Sequence, residues 1–107
     1  MPKGVRRRYL ALKIDSEEAF SSREFMDAVW NSVLKLYGEY GASQTGLALI
    51  DYDEEKSFTV VRCMHKAVVT VRTAVASITS IGGKPVAVHV LKVSGTLKAL
   101  YSKLRSA

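Results

Sequence analysis

Four carboxylates fall within five positions at Asp51, Asp53, Glu54 and Glu55. Clustered carboxylates can hold the paired magnesium ions that activate water and steady a leaving oxygen in phosphodiester cleavage. This cluster occupies a polar turn between two apolar stretches, a common place for acidic residues. No second acidic segment downstream could complete a metal site. Cys63 and His65 offer a thiol and a base only two residues apart, a spacing that needs a strained geometry and still lacks a third group to orient the base. A buried thiol and a helix-start histidine fit the pair better. His89 sits in an apolar run and reads as a packed or surface histidine. One cysteine and two histidines provide neither a disulfide framework nor a four-ligand zinc site.

The chemistry left is that of charge. The 107 residues carry a formal net charge of +6, unevenly spread. All ten acids lie between Asp15 and Glu55, where only Arg23 and Lys35 oppose them, and residues 56–107 hold nine bases and no acid. A long acid-free, cationic stretch suits a polyanion whose counterions it displaces, with nucleic acid the leading candidate. A basic surface kept for solubility or for an acidic protein partner is the alternative reading. A membrane fits less well, because no basic segment carries a large apolar face of its own. With 48% hydrophobic and 24% charged residues the chain reads as one ordinary globular domain over 1–107. The N-terminus lacks the apolar stretch of a signal sequence, so a soluble, cytoplasmic protein is expected.

Elements must hold these charges in place. Leu10, Leu12 and Ile14 alternate along a first strand, Tyr9–Ile14, preceded by a mobile basic arm over 1–8. Ser21 and Glu24 have capping-box spacing, and Phe25, Met26, Val29, Trp30, Val33, Leu36 and Tyr37 form a helical stripe that Gly38 can close in a left-handed cap. Core packing is the ordinary expectation for Trp30, with burial by a partner the alternative. Leu47–Tyr52 and Phe58–Met64 read as a hairpin. The span from Lys66 to about Ser80 carries a second helical stripe, the glycines at 82 and 83 break the chain, and Val86–Val93 makes a fourth strand. Leu97, Leu100, Tyr101 and Leu104 line a final short helix, with Lys98, Lys103 and Arg105 off the stripe.

Strand, helix, strand, strand, helix, strand is the split βαβ order of an α+β sandwich, ferredoxin-like or RNA-recognition-motif-like: a four-stranded antiparallel sheet with two helices, plus a C-terminal helix. Both alternating sets of the fourth strand are largely apolar, so the second sheet face needs cover from the last helix and from a partner. The stacking aromatics that read single-stranded RNA on such sheets are missing from Ser57–Met64. Contact with phosphates and with RNA shape remains.

Four groups of residues in order carry a family resemblance: Tyr9-Leu10-Ala11-Leu12-Lys13; Trp30-Asn31 with Leu34 and Gly38-Glu39-Tyr40-Gly41; Val61-Arg62-Cys63 with Val68, Val71-Arg72 and Ala74; and Val93-Ser94-Gly95-Thr96-Leu97-Lys98. Over about residues 7–104 the chain resembles the archaeal and eukaryotic Pop-five family, component 2 of ribonuclease P, with the short length pointing to the archaeal branch. The resemblance implies a noncatalytic subunit of a ribonucleoprotein that removes the 5′ leader from precursor tRNA. It implies no cofactor on the protein itself, with Mg²⁺ held by the RNA subunit. The implied partners are the catalytic domain of the ribonuclease P RNA and a TIM-barrel-like protein subunit, with a possible homodimer inside a heterotetramer and precursor tRNA met indirectly. On this reading phosphates are neutralised by Arg6, Arg7, Arg8, Lys13, Arg62, Lys92, Lys98, Lys103 and Arg105, and Ser94-Gly95-Thr96 offer amides and a hydroxyl at a helix start. A protein-interaction adaptor without direct RNA contact stays open as the alternative.

Overall fold

In the computed structural model, which describes residues 6–106, the chain begins with strand β1 (Arg7–Asp15). Arg7 and Arg8, expected in a mobile arm, already pair with Met64 and Cys63. The strand extends further back than the alternation of Leu10, Leu12 and Ile14 indicates, because the neighbouring strand is long enough to pair the arginines too. Residues 1–5 of the expected arm, Lys3 among them, lie outside the described residues.

Helix α1 (Ser22–Ser43) opens with the expected capping box: Glu24 N–H donates to Ser21 Oγ at 3.1 Å, and Ser21 N–H donates to Glu24 Oε1 at 3.0 Å. Gly38 does adopt a positive φ of 75°, a conformation that strains any residue with a Cβ. The helix does not end there. It bends and resumes to Ser43, because Ala42 is buried and holds the last turn down, while the Thr45 hydroxyl donates to the Ala42 carbonyl at 2.8 Å.

Strands β2 (Ala48–Asp53) and β3 (Phe58–Met64) form the expected hairpin, closed by Lys56 N–H on Asp53 Oδ1 at 3.1 Å. A 3₁₀ turn over His65–Ala67 leads into α2 (Val68–Ala76). This helix is shorter than the stripe to Ser80 suggests. Ser77 folds its hydroxyl onto the Ala74 carbonyl at 2.7 Å, and the glycines at 82 and 83 both have positive φ. Two such residues in succession favour the tight turn of a two-residue hairpin. Strands β4 (Ser80–Ile81) and β5 (Lys84–Pro85) form it. Strand β6 (Ala87–Ser94) and helix α3 (Leu97–Ser106) complete the chain.

The main sheet has the order β2-β3-β1-β6, antiparallel throughout. With β3 between β1 and β2, and β1 between β3 and β6, both crossovers are split βαβ units, as expected. Helices α1 and α2 cover one face. Leu10, Leu12, Ile14, Val61, Cys63 and Val88 meet Phe25, Val29, Val33, Val71 and Val75 there in one buried cluster. Each such side chain contributes about 1.5–3 kcal/mol by leaving water. Ser32 ties the two helices, donating to the Ala74 carbonyl at 2.7 Å with the Ser77 hydroxyl also 2.7 Å away.

Two bulges explain why some strands looked apolar on both sides. The β1–β6 register shifts between Ala11 and Leu12, skipping Leu91, and the β2–β3 register skips Ile50. An extra residue reverses the alternation beyond it. Val93 therefore returns to the face of Val88 and Val90, and Tyr52 to that of Leu49. The second face needs far less cover than strict alternation implies, and α3 supplies it: Leu100 is buried with Ala11 and Val60, while Tyr9, Ile50, Phe58, Leu97, Tyr101 and Leu104 pack around them.

The stripe of α1 is only half buried. Phe25, Val29 and Val33 are interior, but Trp30 is 37% exposed and Leu34, Leu36 and Tyr37 are exposed with it. Trp30 is thus not a core residue of this chain. The sheet takes one flank of the stripe and stops short of the other. No helix among the described residues is long and apolar enough to cross a membrane.

Candidate nucleic-acid interface

Strand pairing places the candidate cations. Residues opposite one another in register share a face, so Lys13, beside Phe58 and His89, lies on the α3 side, as do Lys92 beside Ala11 and Arg62 beside Tyr9 and Ala48. Arg7 has the same parity. Helix α3 adds Lys98, Lys103 and Arg105, all exposed. Lys103 Nζ lies 3.4 Å from the Val93 carbonyl, which holds it over the edge strand. Arg62 is half-buried, and its Nε has no acceptor among the described residues.

Arg8 has the opposite parity, yet its side chain turns back. Nη1 donates to the Arg7 carbonyl at 3.0 Å and lies 3.4 Å from where a Cβ on Gly95 would stand. The guanidinium thus sits at the start of α3. There the Thr96 hydroxyl accepts the Ala99 N–H at 3.1 Å and caps the helix. Gly95 and Thr96 are exposed, whereas Ser94 is buried and its side chain has almost no surface to offer a phosphate. Arg6 is separated from this group: its carbonyl accepts His65 N–H at 2.8 Å, and it lines a cleft with Gln44, His65, Lys66 and Thr70. From the sequence His65 is weighed only beside Cys63, and Gln44, Lys66 and Thr70 are not singled out. The signal available was a helix start reading Met64-His65-Lys66 with no side chain fitted to cap it.

Among the described residues no carboxylate pairs with these cations. The one ion pair among the described residues joins Lys84 Nζ and Glu18 Oε1 at 3.4 Å, between two half-exposed side chains outside the α3 face. Asp51 reaches α3, where its Oδ2 accepts the Tyr101 hydroxyl at 3.2 Å. Burial and this bond to Asp51 raise the Tyr101 pKa. No group of three or more His, Cys, Asp or Glu residues among the described residues is arranged to hold a metal. Cys63 is fully buried, and desolvation pushes its thiol up to about 11, far from a nucleophilic thiolate at neutral pH.

Sheets of this topology can stack bases on an open face. Here α3 occupies that face, and the aromatic rings on it, Tyr9 and Phe58, pack into the cluster beneath the helix. The surface can engage a polyanion through charge, and its sheet aromatics are in use.

The model of the Rpp14/Pop5 family matches residues 8–105. The chain is 35% identical over 101 residues to ribonuclease P protein component 2 of Pyrococcus furiosus, covering 94% of this chain and 84% of that one. It is 33% identical over 99 residues to the protein of the same name from Methanosarcina barkeri, covering 92% and 72%. Among solved structures it superimposes on a chain in the cryo-EM structure of yeast ribonuclease MRP with a TM-score of 0.73 at 16% identity, over 99% of this chain and 96% of that one. That likeness establishes the shared fold; the match over nearly the whole length, with the sequence identity to archaeal proteins, places the chain in the Rpp14/Pop5 family.

Proposed function

We propose that the protein is a noncatalytic subunit of ribonuclease P that sets its α3 side against the phosphates of the catalytic RNA during 5′-leader removal from precursor tRNA. The observation that carries this is the set of cations around α3, Lys13, Arg62, Lys92, Lys98, Lys103 and Arg105, with which no carboxylate among the described residues pairs. Cations held on a rigid sheet and helix neutralise RNA by displacing counterions, which lets folded strands approach at a lower magnesium concentration. On this reading the Mg²⁺ ions of hydrolysis belong to the RNA.

Contact with a protein is favoured by a different observation. Trp30, Leu34, Tyr37 and Tyr40 are exposed along α1, and Asp27 and Glu39 line the depression beside Trp30 and Leu34. Clustered apolar side chains rimmed by charge mark protein interfaces. The proposed TIM-barrel-like subunit is expected to meet this side, leaving the α3 side for RNA. A single chain would then serve both contacts.

Reconstitution tests the reading. Catalytic RNA with this chain and its partner should process precursor tRNA at a magnesium concentration where the RNA alone does not. Processing that is indifferent to omission of this chain would overturn the proposal.

A further inference from the structure

The cleft that takes Arg6 away from the other cations has a chemistry of its own. It lies between the end of α1 and the start of α2, with a volume of about 530 Å³. Arg6 and Lys66 bring fixed charge, Gln44 and Thr70 an amide and a hydroxyl, and His65 an imidazole. No carboxylate lines it, and neither Arg6 nor Lys66 is ion-paired among the described residues. Met64 and Ala67 supply apolar wall, and the charged groups can give an anion charge-assisted hydrogen bonds.

Fixed positive charge and neutral donors lining one cleft without a carboxylate favour an anion. The adjoining backbone acts in the same direction: neither the 3₁₀ turn nor α2 has a side-chain cap, and neither has an acid in its first turn. Among the described residues no side chain therefore opposes an anion at this helix start. The cleft is also joined to the α3 surface. Arg6, Arg7 and Arg8 are consecutive; Arg6 lines the cleft and Arg8 lies against Gly95 at the start of α3. Two residues of strand separate their Cα atoms, roughly 7 Å.

We propose that this cleft is a second phosphate site, which holds a backbone phosphodiester of the RNA strand after it crosses the N-terminal end of β1 from α3. The inference rests on the RNA-binding reading above and adds Gln44, His65, Lys66 and Thr70 to the contact surface.

The test measures the salt dependence of binding between the full chain and the catalytic RNA for three proteins: the native chain, Arg6→Ala/Lys66→Ala, and Lys92→Ala/Lys98→Ala on the α3 side. All four positions are exposed, and far-UV circular dichroism verifies folding. Removing two cations that each neutralise a phosphate should lower the log–log slope by roughly two, so that between 50 and 200 mM salt the native chain loses about tenfold more affinity than the cleft variant. If the cleft variant keeps the native slope while the α3 variant does not, the cleft is no RNA site and the broader reading stands. If the native chain shows no salt-dependent binding, both fall. Inorganic phosphate that shifts the amide resonances of Lys66 and Ala67 without being displaced by RNA would also overturn the proposal, since the cleft would then serve free phosphate.

Discussion

The two faces of the main sheet are covered by different amounts of the chain, and the difference separates stability from binding. On one side α1 and α2 bury a continuous cluster from Leu10 to Val88. On the other, α3 alone buries Ala11, Val60 and Leu100 completely, and cations edge the contact. A short helix can cover so little because two bulges send Val93 and Tyr52 back to the large core. The apolar demand on the second face is thereby reduced, and its rim can hold lysine and arginine. On the first side Asp27 and Glu39 flank the apolar strip that Trp30 and Leu34 leave uncovered.

The sharpest way to break this comparison is to remove matched side chains from the two faces. Leu12→Ala, in the large core, should cost about 3–5 kcal/mol, the upper part of the range for a buried leucine. Leu100→Ala should cost less, about 2–3 kcal/mol, because a helix at the chain end can shift to fill the space. Urea unfolding checks both, and hydrogen exchange should show α3 alone losing protection in Leu100→Ala. Equal costs would mean that α3 is as much a part of the core as α1.

Capping gives the next largest effect. Ser21→Ala removes one half of a reciprocal pair of hydrogen bonds and should lower stability by about 1 kcal/mol, read as a fall in urea midpoint at unchanged slope. The Cys63 thiol gives an effect invisible at neutral pH. Its pKa in the folded chain is raised by desolvation from 9.0 to about 11, so folding favours the protonated form. Its contribution is complete below pH 9 and is lost as the pH rises from there through 11. Cys63→Ala should flatten that alkaline decline, and thiol reagents should label native Cys63 only as fast as the β1–β3 region opens.

The strands, the first cap and the split βαβ order were legible in the sequence because local signals and tertiary packing agree there: Leu10, Leu12 and Ile14 alternate and are buried together. Disagreement arose where a tertiary contact overrides a local rule. Gly38 takes a positive φ of 75° but with an extended ψ of −179° rather than the left-handed cap, and with Ala42 buried beyond it the helix resumes. Trp30 fits the stripe, but a helix beside a four-stranded sheet has more apolar surface than the sheet covers. Bulges at Ile50 and Leu91 leave no mark in composition, so strict alternation overstated what a partner must hide. The basic character of the α3 side was legible as an acid-free second half. The separate positions of Arg6 and Arg8 were not: two residues apart, they lie beside two different helix starts, which only the pairing of β1 with its neighbours determines.

The central claim is that the α3 side is an electrostatic landing surface for RNA. Its most direct test is the salt dependence of RNA binding by Lys13→Ala/Lys92→Ala/Lys98→Ala, three exposed positions around α3 whose replacement leaves both cores intact. The log–log slope should fall by roughly one unit for each phosphate no longer neutralised, with equal weakening for RNAs of different sequence and the same fold. A slope that matches the native chain would contradict the account.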